Sequence, residues 1–337
     1  MLIKVAIIND TRTEDGHFGC STVMSNLEVI LKKHGVEVCW TWPVGLDWRE
    51  HKDRLLSFEK VDAFIVNGEG TIHNSSEKRK MPGALSEIAR FAKKEMGIPC
   101  YLINSTLYMN QDSLYRELLN YDKIYVRDTL SQKECLAHGV EANYAPDLSM
   151  LLPVNECGML SRNGVGVTDS VFKDKALQLK KIGIKYSWDY VPMVLEKKKK
   201  GFLSRLRVTF KSNKNNKVSS VFLSGKDFIK WLCSKDLIVT GRYHTVTLCI
   251  LTKTPFVAIE SNTPKITALL KDVFGDNSRL VYDIPLIYPS GEVVKRFGRF
   301  NNEEIFMIKE YFNKVESLNR NMVETIVKDI KLKSKKF

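Results

Sequence analysis

From Lys4 to Tyr144 the sequence alternates short apolar runs with segments of helical periodicity, and this alternation is the strongest constraint on its fold. Parallel strands need a crossover between them, usually a helix, so the pattern predicts a mostly parallel sheet flanked by helices. The predicted strands are Lys4 to Ile8, Val36 to Trp42, Val61 to Val66, Ile98 to Asn104 and Lys123 to Val126. Helices are expected at Val23 to Lys33, capped by Ser21 or Thr22 and stopped by Gly35, at 47–59, near Gly83–Glu95, near Gln111–Asn120 and at 130–138. After Pro153 the pattern dips, and Asn155 to Asn163 reads as an interdomain segment. Gly164 to Thr168 then starts a second sheet, continued by strands near Lys185–Val191, Leu237–Val239 and Phe256–Ile259 and a short one at Leu280–Tyr282. The expected organisation is α/β, with two Rossmann-like domains at 1–153 and 164–302, and a long helix with a basic tail at 303–337.

Chemistry-bearing residues collect at predicted strand ends, the edge where open α/β folds bind ligands. Leu237 to Val239 runs into Gly241, and a helical pattern follows, which places Arg242 and His244 at a helix start. Unpartnered N–H groups and the positive dipole end there, joined by a guanidinium and an imidazole, make a receptor for phosphate or carboxylate. The next strand ends in Glu260 and Ser261, and Lys265 follows Pro264 at another helix start. Each residue also has a structural reading. His244 can be a helix-start histidine held by backbone, Arg242 can pair with Glu260 or Asp147, and Lys265 can be a solvated lysine.

In the first half, Asn67-Gly68-Glu69-Gly70 forms a glycine loop that continues to His73. Its glycines permit close backbone approach, but their spacing matches neither the dinucleotide fingerprint nor the P-loop. Glu69 can take a proton from a sugar hydroxyl or cap a helix, and His73 can bind a ligand or sit at the surface. Arg127 and Asp128 form either a binding pair or an internal salt bridge. Asp147 after Pro146 orients Arg127 or His244, or makes a turn. Asn9, Asp10 and His17 follow the first strand.

The formal charge of +13 favours anionic partners. Much of it lies in an insertion at 196–217, where Phe202, Leu203, Leu206 and Phe210 share a helical face among lysines and arginines. That segment suits an anionic membrane surface or a solvated loop. No nucleic-acid module accompanies it, so nucleic acid is not an expected partner. No apolar window is long enough to span a membrane, and the N-terminus reads as a strand rather than a signal peptide. Seven scattered cysteines without a Cys-x-x-Cys pair suggest reduced thiols in a cytoplasm. No metal-ligand cluster and no cofactor motif is visible, so neither is expected.

Gly241-Arg242-Tyr243-His244, Thr254-Pro255-Phe256-Val257-Ala258 and Lys265 resemble the C-terminal signature of the polysaccharide pyruvyl transferase family. Val126-Arg127-Asp128 with Ser131, Leu136 and Gly139, then Ala145-Pro146-Asp147, resembles its central motif in the same order. The resemblance implies a GT-B-type arrangement, two Rossmann-like domains facing a cleft, with the acceptor sugar on the first and the donor on the second. The implied donor is phosphoenolpyruvate and the product a pyruvate ketal on two sugar hydroxyls of a glycan or lipid-linked precursor. Arg242, Lys265 and Arg127 would hold phosphate and carboxylate, with His244 as acid/base. This chain departs from the family in its first loop, Gly16-His17-Phe18-Gly19, and at Asn67-Gly68-Glu69-Gly70, which leaves the acceptor open. Two other readings stand beside it: a glycosyltransferase using a nucleotide sugar on the same fold, and a non-catalytic glycan-binding relative. The implied location is cytoplasmic, with the insertion allowing contact with the inner membrane face.

Overall fold

The structure, a computed structural model, describes residues 2–12, 17–151, 161–194, 225–282 and 290–334. The basic insertion at 196–217 lies outside them. The chain divides into two compact units, one of residues 1–12, 22–152 and 309–337, the other of 13–21 and 153–308.

The first unit follows the predicted alternation. Its elements are β1 (Ile3–Asp10), α1 (Phe18–Lys33), whose first residues, through Ser21, belong to the second unit, β2 (Val36–Pro43), α2 (Lys52–Leu56), β3 (Ala63–Glu69), α3 (Lys80–Phe91), β4 (Cys100–Ser105), α4 (Asp112–Leu118), β5 (Lys123–Val126), α5 (Thr129–Ala137) and β6 (Asn143–Tyr144). All strands pair in parallel in the order β2-β1-β3-β4-β5-β6. Side chains alternate across a strand, and successive residues of β1 feed opposite cores: Ala6 and Ile8 pack with α3, Val5 and Ile7 with α1. The strand order reverses between β1 and β3, and such a reversal point is where open α/β sheets generally take ligands.

α1 begins at Phe18, one turn before the expected cap at Ser21 or Thr22. His17 supplies the reason. Its Nδ1 accepts the Cys20 N–H at 3.2 Å and its carbonyl accepts the Ser21 N–H at 3.1 Å, so an imidazole takes the capping role usually held by a hydroxyl or amide.

The second unit contains β7 (Val165–Ser170), α6 (Lys173–Tyr186), β8 (Asp189–Tyr190), α7 (Gly225–Cys233), β9 (Leu237–Gly241), α8 (Tyr243–Leu251), β10 (Phe256–Ile259), α9 (Lys265–Phe274), β11 (Leu280–Val281) and α10 (Ser290–Phe297). Its parallel sheet has the order β11-β10-β9-β7-β8 and reverses between β9 and β7. The last helix, α11 (Asn302–Ser334), sets Met322, Val323, Ile326, Val327 and Ile330 into the core beneath β1 and β3. Tyr101 Oη donates to Asp329 at 2.8 Å beside that core.

No described helix is long and apolar enough to cross a membrane. Cys233 is disulfide-bonded, which corrects the expectation that all seven cysteines are reduced and weakens the inference from cysteine usage to compartment. Cys20, Cys39, Cys100, Cys135 and Cys249 are thiols.

Candidate functional site

In the second unit the chemistry gathers where β7 and β9 diverge. β9 ends at Gly241, and Arg242 takes an extended conformation (φ −112°) before α8 starts, without a capping side-chain bond of its own. The Arg242 Nε donates to Asp169 Oδ2 at 3.0 Å, and Nη2 donates to the same oxygen. Asp169 stands at the end of β7 and its other oxygen accepts the Met193 N–H at 2.9 Å. The ion pair therefore bridges the two strands at the reversal point of this sheet. Arg242 binds neither Glu260 nor Asp147, and Asp169 was not among the expected residues. Close approach of the same strand ends demands Gly241, whose missing Cβ would lie 2.7 Å from that of Ser170.

His244, in the first turn of α8, is buried and packs on the start of α1. A Cβ at Gly19 would stand 2.2 Å from the His244 Cβ, so only glycine admits the imidazole there. The His17 ring meets that of His244 edge-on, with 5.5 Å between centroids. Burial, and after it the charge of Arg242, hold the His17 pKa down to about 4, so the ring is neutral at pH 7.

Glu260 does not face a vacant helix end. Its Oε1 accepts the Ser261 and Ile266 N–H groups at 2.8 and 3.2 Å, and its Oε2 accepts the Thr267 N–H at 3.0 Å, so the first turn of α9 already has its anion. Lys265 is buried, and its Nζ donates to Asn262 Oδ1 at 3.0 Å, as the Ser261 hydroxyl does at 3.3 Å.

In the first unit the ends of β1, β3 and β4 carry Asn9, Glu69 and Asn104 with φ of 67°, 39° and 55°. Asparagine tolerates the left-handed region, but glutamate there is strained, and such strain collects at functional sites. Asn67 connects them. Its Nδ2 donates to Glu69 Oε1 at 3.0 Å, its Oδ1 accepts from Asn104 at 3.3 Å, and its carbonyl accepts from Asn9 at 2.7 Å. Thr11 also donates to Glu69 Oε1. Gly68 passes so close to Ser105 that a Cβ would lie 2.4 Å from its Cβ and Oγ, whereas Gly70 is a partly exposed turn residue.

Burial raises the Glu69 pKa, against the opposing effects of Thr11, Arg127 and Asn67. A folded-state pKa above the unfolded one means that this carboxyl's contribution is most favourable at low pH and is lost as pH rises through the interval between the two values. Glu69→Gln is expected to be more stable than wild type at neutral pH, with the difference closing as pH falls toward the ordinary carboxylate range. Urea unfolding at several pH values checks this, and a pH-independent difference contradicts it.

Arg127 and Asp147 are fully buried and pair at 2.9 Å. The Arg127 Nε also donates to Thr106 Oγ1 at 2.9 Å, and Asp147 Oδ1 accepts the Ser149 N–H at 2.8 Å. Asp147 therefore orients Arg127. Asp128 caps α5 by accepting the Ser131 N–H at 2.7 Å. His73, expected either at a ligand or at the surface, is buried; its Nδ1 lies 3.0 Å from Arg79 Nη1, which also donates to the His73 carbonyl.

Two parallel sheets with alternating helices, each offering polar and charged side chains at its reversal point, define a two-domain α/β protein of GT-B type. Residues 22–263, well over half the chain, match the sequence model of the polysaccharide pyruvyl transferase family, and the protein belongs to that family. The sequence matches no curated protein. Among solved structures it is similar to UDP-GlcNAc 2-epimerase from Methanocaldococcus jannaschii in complex with UDP-GlcNAc and UDP, at 13% identity and a TM-score of 0.57, covering 96% of this chain and 99% of that one. It is also similar to the Staphylococcus aureus protein MnaA with UDP, at 11% identity and a TM-score of 0.54, covering 98% and 96%. A Klebsiella pneumoniae protein of uncharacterised function gives 12% identity and a TM-score of 0.53, covering 84% and 94%. At these identities the likeness establishes the fold alone.

Proposed function

We propose that the protein transfers a pyruvyl group from phosphoenolpyruvate to two hydroxyls of a sugar in a cell-surface polysaccharide or its lipid-linked precursor. The observation that carries this reading is the β9–α8 turn, which sets Arg242 and His244 side by side at a sheet reversal point within the family-matched region. Arg242 directs Nε and Nη2 to Asp169, so its Nη1 is the donor offered to a phosphate or carboxylate oxygen. Lys265 adds a second cation. Arg127, enclosed in its own ion pair, is left out of the donor set and holds the β5 end in place.

The reaction needs a proton at the methylene carbon of the enol, which becomes a methyl. One sugar hydroxyl attacks the carbon that bears the phosphate, phosphate leaves, and a second hydroxyl closes the ketal. Two hydroxyl protons are released. One balances the new C–H bond and the other leaves with hydrogen phosphate. His244 is the acid/base for these transfers, and Glu69, with its raised pKa, is the group in the first unit suited to accept a hydroxyl proton. Asn9, His17, Ser261, Gly68, Gly70 and His73 complete the proposed binding set, and Glu260 supports it by fixing α9.

Phosphate release from phosphoenolpyruvate in the presence of a glycan panel, with the ketal methyl read by NMR, tests the proposal. Release that depends on a glycan and falls about 100-fold or more in His244→Gln is the expected result. Sugar transfer from a nucleotide sugar with phosphoenolpyruvate untouched identifies the glycosyltransferase reading instead.

A further inference from the structure

The starts of α1 and α8 bring His17, Cys20 and His244 together, with one ligand atom from each lying within 4.8 Å of the other two. We infer that, with no donor bound, these three side chains form an inhibitory site for one divalent transition-metal ion, zinc foremost, with a fourth coordination position open; an imidazole that ligates the ion cannot carry the reaction's protons, so His244 serves the ion or the reaction but not both. Two imidazoles and a thiolate suit zinc or its late first-row neighbours, whereas magnesium and calcium take oxygen ligands. In a tetrahedral zinc site such donors stand about 3.3–3.6 Å apart, so closing this group takes side-chain rotation of about an ångström and no refolding.

The backbone supports the grouping. His17 and Cys20 are separated by two residues, a short spacing common for paired ligands on a turn. Gly19 between them packs directly on His244, which holds the third imidazole against that turn. The His17 Nδ1 accepts one long bond from the Cys20 N–H, and coordination replaces that bond. Binding converts the Cys20 thiol to thiolate and releases its proton to solvent.

The inference does not rest on the assignment of phosphoenolpyruvate as donor, because metal is titrated with no donor present. The full chain is stripped with a chelator and titrated with Co2+, then with Zn2+. The expected result is one Co2+ per chain with a thiolate-to-cobalt charge-transfer band and the visible bands of a four-coordinate ion, all displaced by Zn2+. Cys20→Ser loses the charge-transfer band. His17→Asn, which retains a side chain able to cap α1, weakens Co2+ binding by about tenfold or more. Absence of stoichiometric binding by wild type overturns the inference, as does a charge-transfer band that persists in Cys20→Ser. Should Cys20→Ser fail to fold, unchanged affinity in folded His17→Asn overturns it.

Discussion

Arg127→Ala is expected to destabilise the first unit by roughly 3–5 kcal/mol, because it leaves the Asp147 carboxylate buried without its cation. Both side chains are 1% exposed or less, so water cannot take over the lost partner. Against a typical domain stability of about 5–15 kcal/mol, that loss is large. The double variant Arg127→Ala with Asp147→Asn removes both charges and is expected to recover much of the loss. Denaturant unfolding of the three proteins measures this, and a single-variant effect under about 1 kcal/mol contradicts it. The double variant also separates two roles. If Arg127 is structural, the refolded double variant retains phosphoenolpyruvate affinity. Lost affinity returns Arg127 to the donor set.

Gly19→Ala is the second large effect. Alanine is favoured over glycine inside a helix by about 1 kcal/mol, so propensity alone predicts a gain in stability. The new Cβ would meet His244 Cβ and Cγ at 2.2 and 2.3 Å, distances no real contact allows, and His244 must move. Displacing a catalytic group by about 1 Å costs on the order of 100-fold in rate, and that loss in kcat/KM is expected with the fold retained. Wild-type activity in Gly19→Ala contradicts the placement of His244 as acid/base.

The sheets were legible because burial on both faces leaves near-continuous apolar strands such as Ala63–Val66 and Leu237–Val239, and because the first runs into Asn67-Gly68 and the second into Gly241. The start of α1 was not, since a histidine cap does not look like one in sequence. Arg242 and His244 stood out at a strand-to-helix turn. Their partners did not: Asp169 lies far upstream on β7, and the closeness of His17, Cys20 and His244 exists only after folding. The place of Glu260 at a strand end was legible for the same reason, whereas its hydrogen bonds to the α9 backbone exist only after folding.

Ligand-induced thermal stabilisation with phosphoenolpyruvate and with UDP, on wild type and Arg242→Ala, tests the central claim most directly. A ligand at about 100 times its dissociation constant stabilises the folded state by roughly 2.7 kcal/mol, a readable shift. Each protein is compared with its own unliganded midpoint, since Arg242→Ala also leaves Asp169 without its cation. The expected result is a shift with phosphoenolpyruvate that disappears in Arg242→Ala. A shift with UDP alone contradicts pyruvyl transfer and leaves a nucleotide-sugar enzyme on the same fold.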